Sequence, residues 1–427
     1  MKHPKNMTDP FPLCYAPWFR EHLKERFLRY TAFPTPSDRR SQEQPSSLSQ
    51  RQFAKQLLAE LKRLGLSELV LDENCYLYGL LKANCPSKQK PLALVAHLDI
   101  SADAPCQVIN PIVHPHYHGR KIKLARGIVL DPASCPELSR YQGTTIITSD
   151  GTSLLGADDK AGIALIVTLL AFFHEHPEVP HGNLEFVFTP DEEIGRGIDH
   201  FPFKRLKARY CLTLDGSGDG VIEAECFSAW ACEIIIKGKP VHLGDARGKL
   251  LNALEIMSRL VCFLPQTESP QATDGRDGFY APVEIEGNLQ EAKLLILIRD
   301  FDERMCLRRL KTVRRLVLGL EAIYPGLKVE IREKKQYANM KDFFKPRDQR
   351  YLDLLAEAVQ MSGVKPVFKS IRGGTDGARL SAAGRLTPNL FNGGFNFHSQ
   401  TEWLSLEAMT RSALTVLALT QLWLTKL

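Results

Sequence analysis

An α/β layered fold with an inserted α+β unit is predicted for this chain, on three observations. Short runs such as "KPLALVAHLD", "NLEFVFTPDEE" and "RYCLTLDGSG" are dominated by apolar residues, which marks strands buried on both faces. Helical patterns, among them residues 159–176, separate these runs, and that alternation places helices on a largely parallel sheet. Between residues 225 and 337 the order changes to strand-helix-strand-strand-helix-strand, the ferredoxin-like unit.

The elements follow in order. Residues 20–66 are helical with a polar break. "PTPSDRRSQEQPSSLSQ" is rich in turn formers, while "RQFAKQLLAELKRLG" repeats apolar residues at helical spacing and ends on a glycine. "LVLDENCYLYGLLKA" reads as a strand pair, and the three buried strands and the helix over 159–176 come next. In the insert, "SAWACEIIIKG" is a strand and "KLLNALEIMSRLVCFL" an amphipathic helix. "APVEIEG" and "EAKLLILIRDF" are strands joined by a polar turn, "DERMCLRRLKTVRRLVLGLEAIYP" is a second helix, and "LKVEIREK" the closing strand. The α/β pattern then resumes with "YLDLLAEAVQMSG", "PNLFNGGFNFH" and a helix over 404–425. The expected division is 1–224 and 338–427 for the larger domain and 225–337 for the inserted one.

A chain of 427 residues suits two domains, and 44% apolar with 24% charged residues is ordinary for a soluble protein. The net charge is only +6. The densest basic run, Arg304 to Arg315, alternates with leucines at helical spacing and reads as a solvated helix face, so no nucleic-acid partner is expected. The ten cysteines are scattered without a Cys-x-x-Cys pair, and several, such as Cys211, sit inside apolar strands. Free thiols of that kind suit a reducing compartment. The first residues, "MKHPKNMTDPFPLCYAPWFREH", contain no continuous apolar segment, so no signal peptide is expected. "AGIALIVTLLAFF" is too short to span a bilayer and reads as a buried helix. The expected location is the cytoplasm, away from membranes.

Chemistry concentrates at strand ends. "LALVAHLD" delivers His97 and Asp99, "LEFVFTPDEE" delivers Glu192 and Glu193, and "RYCLTLD" delivers Asp215. Ligand sites of open α/β sheets lie beyond the carboxyl ends of the strands. Asp158 and Asp159 stand at the mouth of the apolar helix, and His398 ends "LFNGGFNFH". Taken singly, a His-x-Asp pair is a satisfied polar contact and an Asp-Asp before a helix is a cap. All five groups abut an apolar strand or helix, and together they point to a metal site. Imidazoles with carboxylates suit zinc, cobalt or manganese. Two such ions sharing a carboxylate make a hydrolytic centre, with one further carboxylate left free to take a proton from water. "HPHYH" (114–118) is read instead as an exposed loop. "DGSGDGVIEAEC" fails as an EF-hand at its twelfth position, and "RGGTDG" lacks the lysine of a phosphate loop.

"TSLLGADDKAGIA", "FTPDEEIGRG", "LDGSGDGVIEAECF", "IRGGTDGARLS" and "PNLFNGGFNFH" resemble the peptidase T family of tripeptide aminopeptidases. That family lies within a superfamily of dinuclear zinc hydrolases that also includes carboxypeptidases and acylamino-acid hydrolases. The resemblance runs from "ERFLRYTAFPTPS" to "HSQTEW". It implies a zinc-peptidase-like three-layer catalytic domain with the insert as lid and dimerisation domain. It also implies release of the N-terminal residue from short peptides, with two zinc ions per subunit. By motif position, His97, Asp158 and Asp215 would hold one zinc, and Asp158, Glu193 and His398 the second. Asp99 would orient His97 and Glu192 would be the general base and acid. His242, in "KPVHLGDARG", would reach the active site of a homodimeric partner. Asp376, Glu223 or Glu225 are candidates for the substrate ammonium, and Arg299 or Arg372 for its carboxylate. The chain departs from the pattern at "HLDISADAP", at His-Leu-Gly in the lid motif and at "HSQTEW". A related dipeptidase, carboxypeptidase or acylamino-acid hydrolase is the alternative.

Overall fold

The computed structural model describes residues 10–66 and 68–426. The first nine residues, on which part of the signal-peptide expectation rests, lie outside them. The chain divides into two compact units. One comprises the residues up to Ala224 with Phe344–Lys369 and Thr375–Leu427, and the other Glu225–Phe343 with Ser370–Gly374. Residues 338–343 and 370–374 thus group with the second unit.

The first unit is built on an eight-stranded sheet. Its centre is parallel. Leu92–His97 pairs with Leu184–Thr189 on one side and with Tyr210–Gly216 on the other, and Asn389–Phe391 extends it in the same direction. The flanks are antiparallel: Glu68–Leu71 pairs with Leu77–Leu81, and Val221–Cys226 with Asn389–Phe391. The sheet is therefore mixed, with the predicted parallel strands confined to its middle.

Strand side chains alternate between two cores, as the two-residue period requires. Leu92, Leu94, Ala96, Phe186, Phe188, Leu212 and Leu214 face the larger core. There they meet the helices Ala16–Thr31, Leu48–Arg63, Ala157–Glu175, Gln349–Met361 and Leu406–Lys426. Ala93, Val95, Val187 and Cys211 face a smaller core closed by Ile198, Phe201, Leu206 and Leu380. Helices thus cover one face heavily, while the other is closed by a loop and the short helix Asp376–Ala382. A helix as apolar as Ala157–Glu175 forms because it is buried all round: every residue from Asp159 to Phe173 is buried.

A second, four-stranded sheet combines Ile112–His114, Ile146–Thr148, Gly394–Phe395 and Trp403–Ser405. His114 therefore lies on a strand, with Nε2 2.9 Å from the Thr148 hydroxyl. The expectation of a loop over "HPHYH" is corrected at this first residue only; residues 115–118 are a turn and irregular chain, with Pro115, His116 and His118 exposed.

The second unit has strands Ser228–Lys237, Phe279–Gly287, Glu291–Asp300 and Lys328–Tyr337, with helices Ala253–Phe263 and Glu303–Ile323 between them. In sheet order the strands run second, third, first, fourth, all antiparallel. That is the ferredoxin-like order. On the second helix, Arg304 pairs with Asp302, Arg309 with Asp300 and Glu268, and Arg314 with Glu333, so much of the basic run is neutralised within the unit.

Candidate metal centre

The parallel register aligns the ends of the central strands. His97 pairs with Thr189, so the loop after Thr189 lifts Glu192 and Glu193 to the edge where His97 ends its strand. Asp215 ends the neighbouring strand Tyr210–Gly216. Asp158 arrives from the first turn of the helix Ala157–Glu175, where it and Asp159 take non-helical backbone angles. His398 follows the strand Gly394–Phe395 and sits at φ 60°, a left-handed conformation uncommon outside glycine.

These side chains converge. His97 Nε2 lies 2.8 Å from Asp158 Oδ1 and 3.7 Å from Asp215 Oδ1. His398 Nε2 lies 2.9 Å from Glu193 Oε2 and 3.3 Å from Asp158 Oδ2. Asp158 thus turns one oxygen to each imidazole. Two groups of potential ligand atoms occur among the described residues: His97, Asp158 and Glu193, and His97, Asp159 and Asp215. Asp159 differs from its neighbour. Its oxygens already accept hydrogen bonds from the amides of His97 (3.3 Å) and Gly162 (2.9 Å) and from Asn392 Nδ2 (3.2 Å). It reads as a wall of the site.

The electrostatics are one-sided. Among the described residues, Asp99, Asp158, Asp215 and Glu193 have only imidazoles as ion-pair partners. Burial and the Asp158 charge push Glu193 and Asp215 up to about 7. Burial also raises Glu192 well above the ordinary glutamate range, with Asp376, Asp215 and Glu193 adding to it. The histidines respond oppositely. Asp158 and Glu193 push His398 up to about 11. Burial opposes the charge on His97, but Asp158, Asp215 and Asp99 outweigh it and raise the imidazole well above its usual value. Such a cluster is short of positive charge, which a divalent cation supplies. Two imidazoles and several carboxylates are the right donors for one of borderline hardness. Glu193 Oε1 is buried without a hydrogen-bond partner among the described residues, a cost that a coordinated cation would remove.

The surrounding residues hold this geometry. Asp99 is fully buried. Its carboxylate lies 3.3 Å from His97 Nδ1 and accepts the amides of Glu192 at 3.0 Å and Glu193 at 3.1 Å. Asp191, at φ 57°, accepts from the Ser46 amide (2.9 Å) and hydroxyl (2.5 Å) and from Gln50 Nε2 (2.7 Å). It anchors "FTPDEE" to the start of the helix Leu48–Arg63. Gly197 is required where it stands, because a Cβ there would lie 2.2 Å from Asp376 Oδ1. Three residues not singled out from the sequence belong to this support. Glu402 accepts the amides of Leu155 (2.8 Å), Gly156 (2.8 Å) and Asp158 (3.2 Å). Lys160, buried, donates to Thr35 Oγ1 (2.6 Å) and Leu98 O (2.8 Å). Asp103 lies 3.2 Å from His398 Nδ1. Asp103 shares the run "HLDISADAP" with His97 and Asp99, which was its only sequence signal.

The remaining candidates divide by unit. Asp376 is buried in the first, accepts from Thr189 Oγ1 at 2.7 Å and is pushed up to about 6 by burial. Glu223 is raised to about 7 by burial, beside Asn389 Nδ2 at 3.4 Å. The others belong to the second unit. His242 is exposed, and its Nδ1 accepts from the Gly244 amide at 3.2 Å. Arg299 donates to Trp230 O and Ile298 O. Arg372 donates to Thr273 Oγ1 at 2.8 Å and packs over Phe227 and Phe279. Glu225 is paired with Arg276.

The chain was compared with known proteins. The profile of Peptidase family M20/M25/M40 matches residues 153–421. Peptidase T of Clostridium perfringens is 39% identical over 404 residues, covering 95% of this chain and 99% of that protein. Aminopeptidase PepT from Bacillus cereus superposes with a TM-score of 0.73 at 20% identity, over 94% of this chain and 98% of that one. A tripeptidase from Staphylococcus aureus does so at 0.74 and 20% identity, over 95% and 99%. The profile match and the full-length similarity to peptidase T establish that this chain belongs to peptidase family M20/M25/M40.

Proposed function

We propose that this chain is a metal-dependent aminopeptidase that releases the N-terminal residue from short peptides, tripeptides above all. The observation that carries the reading is the unequal surroundings of two adjacent glutamates. Glu193 meets His398, whereas the half-buried Glu192 carboxylate accepts no hydrogen bond among the described residues. His97, Asp158 and Asp215 would hold one zinc, and Asp158, Glu193 and His398 a second; cobalt or manganese suits the same donors. When bound, such ions would lower the pKa of a water and polarise the scissile carbonyl.

The chain's own residues do the rest. Glu192 accepts the proton of the attacking water and returns it to the leaving amine. Asp99 fixes the His97 ring through Nδ1 and holds the loop of Glu192 and Glu193 by its amides. Asp376 offers a buried carboxylate for the substrate ammonium. Arg299 or Arg372, each with N–H groups to spare, would take the substrate carboxylate. The protein acts as a homodimer through the inserted unit. Its edge strand Phe279–Gly287 leaves Val283 and Ile285 exposed, a surface that a partner would cover. His242 would then reach the partner subunit's site to polarise the carbonyl. Ten free cysteines suit the cytoplasm, and no described helix is long and apolar enough to cross a membrane.

Ala-Ala-Ala assayed beside its N-acetylated and C-amidated forms tests the specificity. Hydrolysis of the free and amidated peptides, with loss of the acetylated one, is expected. Loss of the amidated one instead would make the protein a carboxypeptidase.

A further inference from the structure

We propose that Asp103 is a positioning residue for the second metal ligand: it accepts the Nδ1 proton of His398 and so aims Nε2 at the metal. The inference rests on the dinuclear reading above.

Two observations support it. His97 and His398 are built alike. Each turns Nε2 to Asp158, and each has an aspartate at Nδ1: for His97 the Asp99 carbonyl at 3.1 Å with its carboxylate at 3.3 Å, for His398 the Asp103 carboxylate at 3.2 Å. A carboxylate on the far nitrogen fixes the tautomer, holds the ring plane and makes the ligand more basic. The second observation is that His398 needs such a partner more. The His97 side chain is 2% exposed and packed in place, whereas that of His398 is 39% exposed and stands on a left-handed residue. Asp103 is itself held, its amide bonded to Ser101 Oγ at 3.2 Å. Among the described residues its other ionic neighbour is Arg39 at 3.9 Å, which leaves the carboxylate free to serve the imidazole. The rival is an incidental surface ion pair, which would matter little to anything.

The test measures metal, not turnover alone. Metal-free protein is titrated with zinc by equilibrium dialysis, and the cobalt form is followed by its visible absorption. Wild type, Asp103→Ala, Asp103→Asn and Asp103→Glu are compared. Asp103 is half-exposed, so all four should fold, which thermal unfolding without metal verifies. The expected result is a weakening of one of two ions by about 10–100-fold in Asp103→Ala. The other ion should be unchanged, and the cobalt spectrum altered for the weakened site only. Asp103→Glu should recover part of the affinity and Asp103→Asn less. Equal affinity for both ions in wild type and Asp103→Ala would overturn the inference and leave the dinuclear site standing. Wild type binding fewer than two ions would overturn the dinuclear reading itself.

Discussion

The two halves of the proposed metal centre share a carboxylate but are made from different material. His97 ends a central strand, is buried with Asp99, and is paired in the sheet with Thr189. His398 comes from a loop, is 39% exposed, and leans on a half-exposed aspartate. The core supplies the geometry of the first half, and local contacts supply that of the second. A ligand built into the core is coupled to folding, and one built on a loop is coupled mainly to the ion it holds.

The largest expected effect ignores this difference. Glu192→Gln should lower turnover by about 10²–10⁴-fold and leave both ions bound, read by peptide hydrolysis beside metal content. Near-normal turnover with full metal would remove Glu192 from the mechanism. The next effect separates the halves. His97→Ala should cost about 3–5 kcal/mol of metal-free stability, because it breaks a buried ion pair. His398→Ala should cost less, because its imidazole is 39% exposed, although it leaves the nearly buried Glu193 without its ion-pair partner, and each variant loses an ion. Thermal unfolding in chelator, with metal counting, compares them. Equal destabilisation would break the contrast.

The smallest effect lies away from both halves and serves as their control. Glu60 accepts from Arg26, Arg29 and Tyr30 at 2.8 to 3.1 Å. Burial raises its pKa, but the hydrogen bonds from Arg29 and Tyr30 outweigh that and hold it below the ordinary glutamate value. A carboxyl lowered on folding stabilises the protein above its unfolded pKa of about 4.3, and that stability is lost as pH falls through the folded value. Glu60→Gln should therefore cost about 1–3 kcal/mol at pH 7. The gap to wild type should narrow below about pH 4, and metal content should not change. A gap that stays constant with pH would mean that Glu60 contributes packing rather than charge.

The strand-borne part of the site was legible because burial on both faces writes an unmistakable apolar run, and a polar residue at its end stands out. His97, Glu193 and Asp215 were found in that way. The insert was legible because its alternation of two-residue and helical periods is regular. The supports were not. Glu402 reaches Leu155 and Gly156 across about 250 residues of chain, and Asp103 reaches His398 across 295. Contacts so distant leave no periodicity. The strand Ile112–His114 was hidden for another reason: at three residues it is too short for alternation to register. The distinction between Asp158 and Asp159 was also out of reach, since it depends on which carboxylate finds amides waiting for it.

The double grip of Asp99 has one more consequence. Its two oxygens take the amides of Glu192 and Glu193, and the same group faces His97. The proposed proton acceptor and two proposed ligands from opposite sides of the site are thus referenced to a single buried point. A shift of Asp99 would carry all three with it, so their mutual spacing depends on that one buried side chain. Such a common datum tolerates thermal noise better than three separate anchors, each with its own error, and it concentrates the risk of failure in one side chain.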